Sequence, residues 1–163
     1  MDFERYEKLA SILDRFDNAM LVTHTPDGQV RARPMAIADR RSLEALWFIT
    51  SADQKVDEIR EDPRVALTLQ SPARFLSLSG TAEIVIDPKK TESMWSEAWR
   101  VWFPDGPTDP TLRLIRVKPE TAEYWDMSGT SLVRYTFDAI AAYVKGERVE
   151  PPKDAGTHSQ LAL

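Results

Sequence analysis

A chain of 163 residues suffices for one domain with its own core, and its apolar and charged shares, 42% and 29%, are those of a globular protein. A net charge of -5 argues against a general nucleic-acid surface, and no run approaches the ~18 to 20 apolar residues of a membrane-spanning helix. The absence of cysteine excludes disulfides, thiolate metal sites and a cysteine nucleophile; with an acidic N-terminal stretch that lacks a secretory pattern, it leads to the expectation of a cytoplasmic protein.

Phe3, Tyr6, Leu9, Leu13 and Phe16 recur at helical spacing, so residues 3–16 read as an amphipathic helix. AMLVTHT (19–25), PDGQ (26–29) and VRARPMAIA (30–38) read as strand, turn and strand, because proline presets φ and glycine tolerates a positive one. The nearly continuous apolar run LEALWFIT (43–50) predicts a third strand buried on both faces. From Asp53 the period turns helical through Val56 and Ile59, until Pro63 ends it. RVALTLQ (64–70) and RFLSLSGTAEIVI (74–86) predict a further strand pair, with Gly80 marking a bulge or bend. PKKTESMWSEAWRVW predicts one helix carrying Trp95, Trp99 and Trp102 at i, i+4 and i+7, the first two packed on the fold and Trp102 at the mouth of the loop FPDGPTDP.

TLRLIRV and ETAEYWD predict two more strands, and LVRYTFDAIAAYVKG a helix ending at Gly146. Residues 147–163 are polar, proline-bearing and unpatterned, so the domain is placed at 1–146 and the remainder is read as a flexible tail. Seven short strands, without regular βαβ alternation, predict a mainly β fold with peripheral helices (α+β), an antiparallel barrel closed or partly open.

The glycines form neither G-x-G-x-x-G nor a phosphate-binding lysine loop, and neither a zinc H-E-x-x-H nor a G-x-S-x-G elbow is present. His24 and His158 read as structural, and pairs such as Glu61-Asp62 and Glu120/Glu123 as solvated faces, so no catalytic acid or base and no metal site stands out. WFITSADQK (47–55) is different. A strand end followed by a helix start presents unpaired N–H groups, and Thr50, Ser51 and Lys55 there suit a phosphate. A plain helix cap at Ser51 or Asp53, with Lys55 a solvated charge, fits the same stretch. In VRARPMAIA, Arg31, Arg33, Met35 and Ile37 share one strand face; guanidiniums cannot enter an apolar core unpaired, so that face is wet, meets an anion, or pairs with Asp39 or Glu44. Pro34 marks an edge position or a turned backbone.

The order R-x-R-P-M, W-F-I-T-S-x-D-x-K-V, D-P-R-V-A-L, L-S-G-T-A, W-F-P-D-G-P-x-D-P and A-E-Y-W-D resembles the pyridoxamine 5'-phosphate oxidase-like FMN-binding split barrels, in particular the general stress protein 26-like branch, over residues 3–145. The resemblance implies a six-stranded antiparallel split β-barrel that holds FMN at a homodimer interface. It places Arg33, Pro34 and Met35 along the isoalloxazine and Arg31 or Arg33 near the phosphate. Ile49, Thr50 and Ser51 fall at the strand end whose hydroxyls bond the phosphate, which Lys55 clamps. Trp102 and Phe103 approach from the partner subunit, and Trp125 lies near the dimer interface. SLVRYTFDAIAAYVKG lacks the Arg/His pair that grips the oxidases' substrate, which argues against pyridoxamine phosphate oxidation, and Phe75 stands near where those enzymes carry a flavin-contacting glutamine. The implied function is a flavin-dependent oxidoreductase or stress-related flavoprotein working with NAD(P)H or a small redox partner. The alternatives are a non-catalytic flavin-sequestering protein, or a deazaflavin or haem binder using the same cleft.

Overall fold

The structure, a computed structural model, describes residues 3–128, 141–142, 144–146 and 158–163. Helix α1 (Phe3–Leu13) leads into strands β1 (Asn18–His24), β2 (Val30–Ser42) and β3 (Ala45–Ser51). Helix α2 (Gln54–Glu61) precedes β4 (Arg64–Gln70) and β5 (Arg74–Val85); α3 (Pro88–Met94), two short 3-10 turns, β6 (Leu112–Asp126) and β7 (His158–Ala162) follow. All strand pairings are antiparallel, in the order β3-β2-β1-β4-β5-β6, and a β3–β6 pairing closes the ring into a six-stranded barrel.

Alternation decides what the barrel encloses. Leu21, Met35, Leu46, Phe48, Leu67, Leu76, Leu78 and Ile115 point inward and are buried. Leu9, Ile12 and Leu13 of α1 join the same core, with Phe16 just beyond the helix and Tyr6 packed against it. The barrel thus receives most of the expected stripe, while Phe3 at its start is exposed and the helix ends at Leu13 rather than Phe16. In β3 the burial alternates, buried at Leu46, Phe48 and Thr50 and half-buried at Trp47, Ile49 and Ser51. The apolar run therefore does not bury both faces equally: its outward side chains meet other parts of the chain only in part.

The two strands expected at TLRLIRV and ETAEYWD are one. β6 runs unbroken through Pro119 because its two halves use different neighbours on one edge: Leu112–Val117 pair with β3, and Thr121–Trp125 pair with β7. Pro119 lies between these stretches, where the ladder on that edge demands no donor. On the other edge it faces Gly80, at the register shift expected from that glycine. A Cβ on Gly80 would lie 2.1 Å from the Lys118 carbonyl oxygen, so close approach of the two backbones, rather than turn geometry, requires glycine there.

Two further expectations are corrected, and a third falls mostly outside the described residues. The predicted tryptophan helix stops at Met94 and resumes as a 3-10 turn over Glu97–Val101, so Trp95, Trp99 and Trp102 do not form one helical face. Trp95 and Trp99 meet edge to face, with centroids 5.9 Å apart and an interplanar angle of 85°. The stretch expected to be a tail supplies β7, whose Ser159 and Leu161 are buried against β6, so pairing reaches nearly to the end of the chain. The helix expected over 132–146 lies mostly outside the described residues; 141–142 and 144–145 are helical, and Gly146 has φ +67°.

Candidate functional site

The barrel splits between β2 and β3. Their ladder begins at Ser42/Ala45 and ends at Ile37/Phe48. Residues 34–36 and 49–51 would continue it, but β2 there pairs with β1 and β3 with β6. The two strands diverge and flank a cleft of about 330 Å³ bounded by Pro34, Met35, Ala36, Ile49, Thr50 and Ser51, with Trp99, Trp102 and Phe103 as its outer wall. Pro34 thus stands where β2 has a neighbour on one side only. Trp102 is 68% exposed while Phe103 is buried, so the indole forms the rim and the phenyl ring the anchored part of the wall.

Seven of the eleven residues expected at the site meet in this cleft: Pro34, Met35, Ile49, Thr50, Ser51, Trp102 and Phe103. The last two wall the cleft of their own chain, where the resemblance implied approach from a partner subunit. Ala36 and Trp99 were missed. Ala36 follows Pro34 at the strand period, which would have revealed it; Trp99 was assigned to packing on a helix that is not continuous there. Trp125 lies elsewhere, stacked on His158 at 5.1 Å on the second half of β6.

At the end of β3, Asp53 caps α2 by accepting from the Lys55 backbone N–H at 3.1 Å. Lys55 turns back so that Nζ donates to Thr50 Oγ1 at 2.9 Å and pairs with the Asp53 carboxylate. Ser51 Oγ, at 3.4 Å, faces the same carboxylate. With its side chain only 12% exposed, Lys55 is not the solvated charge of the plainer reading.

Arg31 and Arg33 do share the inward face of β2, opposite the buried Thr23 and Leu21 of β1. Their anion is neither Asp39 nor Glu44. It is Glu58 of α2, whose side chain is 2% exposed: Arg33 donates to it at 3.0 Å, Thr23 Oγ1 at 2.7 Å and Arg31 at 3.4 Å. Burial works to raise the Glu58 pKa, but hydrogen bonds from Arg33 and Thr23 and the nearby positive charges outweigh it and hold the group below the ordinary carboxylate range. Asp39 instead binds Arg41 through two guanidinium hydrogen bonds and pairs with Lys90, and these keep it strongly acidic.

Residues 4–150 match the family described as pyridoxamine 5'-phosphate oxidase like. Among curated proteins, the chain is 26% identical over 157 residues to Protein bli-3 of Neurospora crassa, covering 88% of this chain and 75% of that one. Among solved structures, a general stress FMN/FAD binding protein from Xanthomonas citri is 28% identical, with a TM-score of 0.67 over 78% of this chain and 92% of that one. A general stress protein 26 from Jannaschia sp. CCS1 shares the fold with a TM-score of 0.74 over 99% of both chains, at 22% identity. A barrel split between β2 and β3, a family match along nearly the whole chain and general stress proteins among the structures that share the fold lead to one conclusion: the chain belongs to the pyridoxamine 5'-phosphate oxidase-like family.

Proposed function

We propose that this chain is a flavin-binding protein that holds FMN in the cleft between β2 and β3. The observation that carries this reading is the chemistry of the cleft: a flat apolar wall of Pro34, Ile49, Trp102 and Phe103 leads to the Thr50 and Ser51 hydroxyls, with the Lys55 ammonium bonded to Thr50. A planar ring that carries an anionic tail suits both halves of that arrangement. The similarity to a protein described as FMN/FAD binding supports a flavin. Arg31 and Arg33 contribute less than the resemblance implied, since Glu58 already holds both; Arg31, 46% exposed and at the longer distance, is the one free to turn toward a ligand.

Among the described residues that line the cleft, none is a carboxylate, a histidine or a cysteine. The chain's own groups there bind, orient and exclude water, while a bound flavin supplies hydride and electron exchange with a nicotinamide or another small redox partner. The protein works as a homodimer in this reading. Support comes from the outward face of β1 and β2 beside the cleft, where Met20 is opposite Pro34 and both are exposed.

The absorbance spectrum of the freshly purified protein tests the proposal directly. A flavin spectrum, or quenching of added FMN fluorescence at micromolar protein, is expected; the absence of both overturns it, and a deazaflavin or haem spectrum would reassign the ligand. Lys55→Ala is expected to weaken FMN by roughly 1.5 to 3 kcal/mol, the scale of a charge-assisted contact. Rapid bleaching of the flavin on anaerobic mixing with NADH or NADPH marks a reductase, whereas reduction by dithionite alone marks a binding module.

A further inference from the structure

The strand end holds three groups that donate toward an anion: the Ser51 hydroxyl, the Lys55 ammonium and the Lys55 backbone N–H at the start of α2. All three face one carboxylate, that of Asp53. The Asp53 side chain is 40% exposed, and among the described residues its carboxylate is tied only to neighbours within two positions of it in the chain. Glu58, on the same helix, is the contrasting case: 2% exposed and fastened from β1 and β2, it has no room to move and no solvent to move into.

We propose that the Asp53 carboxylate is an internal anion that competes with a ligand phosphate for the Ser51 and Lys55 donors, so that Asp53 lowers the preference of the cleft for phosphorylated over unphosphorylated ligands. The inference rests on the flavin-phosphate reading of the cleft. Asp53 has two separable roles. Its oxygen on the Lys55 N–H caps α2, a task asparagine performs about as well; its negative charge neutralises Lys55 and repels an approaching dianion. A phosphate that takes these donors must turn the carboxylate outward toward water, and its partial exposure permits this. Riboflavin, which has the same ring and no phosphate, meets no such competition.

The test is a set of fluorescence titrations of the full chain with FMN and with riboflavin, on wild type, Asp53→Asn, Asp53→Ser and Asp57→Asn. Asp57 removes an equal charge from the same helix but lies outside the cluster, 76% exposed and paired with Arg60. Asp53→Asn is expected to tighten FMN about tenfold, the ratio that ~1.4 kcal/mol of relieved repulsion produces, and to leave riboflavin unchanged. Asp53→Ser, which keeps a capping hydroxyl, should follow it, and the gain should shrink as salt is raised. Asp57→Asn should have a much smaller effect. Unchanged or weakened FMN binding in both Asp53 variants overturns the proposal, the second outcome meaning that Asp53 orients Lys55 for the ligand. Equal tightening by Asp57→Asn, or of riboflavin, overturns it by assigning the effect to the general field or to cleft shape. Failure of every protein, wild type included, to bind either flavin refutes the flavin reading itself, and the inference with it.

Discussion

Two buried carboxylates, Glu58 and Asp126, are built alike and placed at different points of the barrel. Each bonds one hydroxyl and two cations: Glu58 has Thr23, Arg33 and Arg31, and Asp126 has Ser128, Lys8 and Arg74. Each is driven upward by burial and downward, with larger effect, by its partners. The Asp126 cluster ties α1 to the start of β5 and the end of β6, away from the cleft. The Glu58 cluster ties α2 to β1 and to the strand that borders the cleft. The same local chemistry thus closes the barrel against its N-terminal helix in one place and holds the ligand-facing elements together in the other.

That contrast predicts graded effects. Glu58→Gln leaves Arg33 and Thr23 without their charged acceptor in a nearly closed site, and should cost about 3 kcal/mol of stability by urea unfolding, with the cleft loosened as well. A flavin affinity unaffected by this change would separate Glu58 from the cleft and make the two clusters equivalent. Asp126→Asn should cost on the order of 2 kcal/mol and leave flavin binding intact.

Acid acts on the same group. Asp126 is lowered from 3.8 to about 2, so its contribution is complete above its ordinary value and is lost as pH falls through that window. Stability measured from pH 5 to pH 2 should therefore drop in wild type and follow a flatter course in Asp126→Asn. Glu58, also lowered, adds to the fall in both proteins. The smallest effect is expected from Arg31→Ala: at 3.4 Å and 46% exposure, its pair should be worth about 0.5 kcal/mol of stability. A larger loss would show that Arg31, and not Arg33, is the main counter-ion of Glu58.

Much of this was legible along the chain. The strand period, the turn at PDGQ, the stop at Pro63 and the bend at Gly80 are local matters of φ, donors and side-chain spacing, and the elements follow them. Pro34, Thr50 and Ser51, which line the cleft, stood out along the chain because strand ends and proline interrupt a ladder wherever they occur, whereas Ile49 came only with the family resemblance. Misreadings arose where a distant partner decided the outcome. Pro119 suggested a strand break, but an edge that changes from β3 to β7 leaves it no lost bond. Residues 158–162 lack a pattern strong enough to announce a strand, and the free edge of β6 supplies one. Trp99 fell on an apparent helical stripe that ends at Met94.

The sequence by itself determined the alternation that fills the barrel, a helix cap at Ser51 or Asp53 and the need of two guanidiniums for water or an anion, because each follows from bonding and solvation within a few residues. Only the tertiary structure decided which anion Arg31 and Arg33 meet. Glu58 stands 25 positions beyond Arg33 and becomes its partner through the packing of α2 against β1 and β5. It also decided where β2 and β3 part to open the cleft, since a strand chooses between neighbours according to how the closed ring distributes its hydrogen bonds.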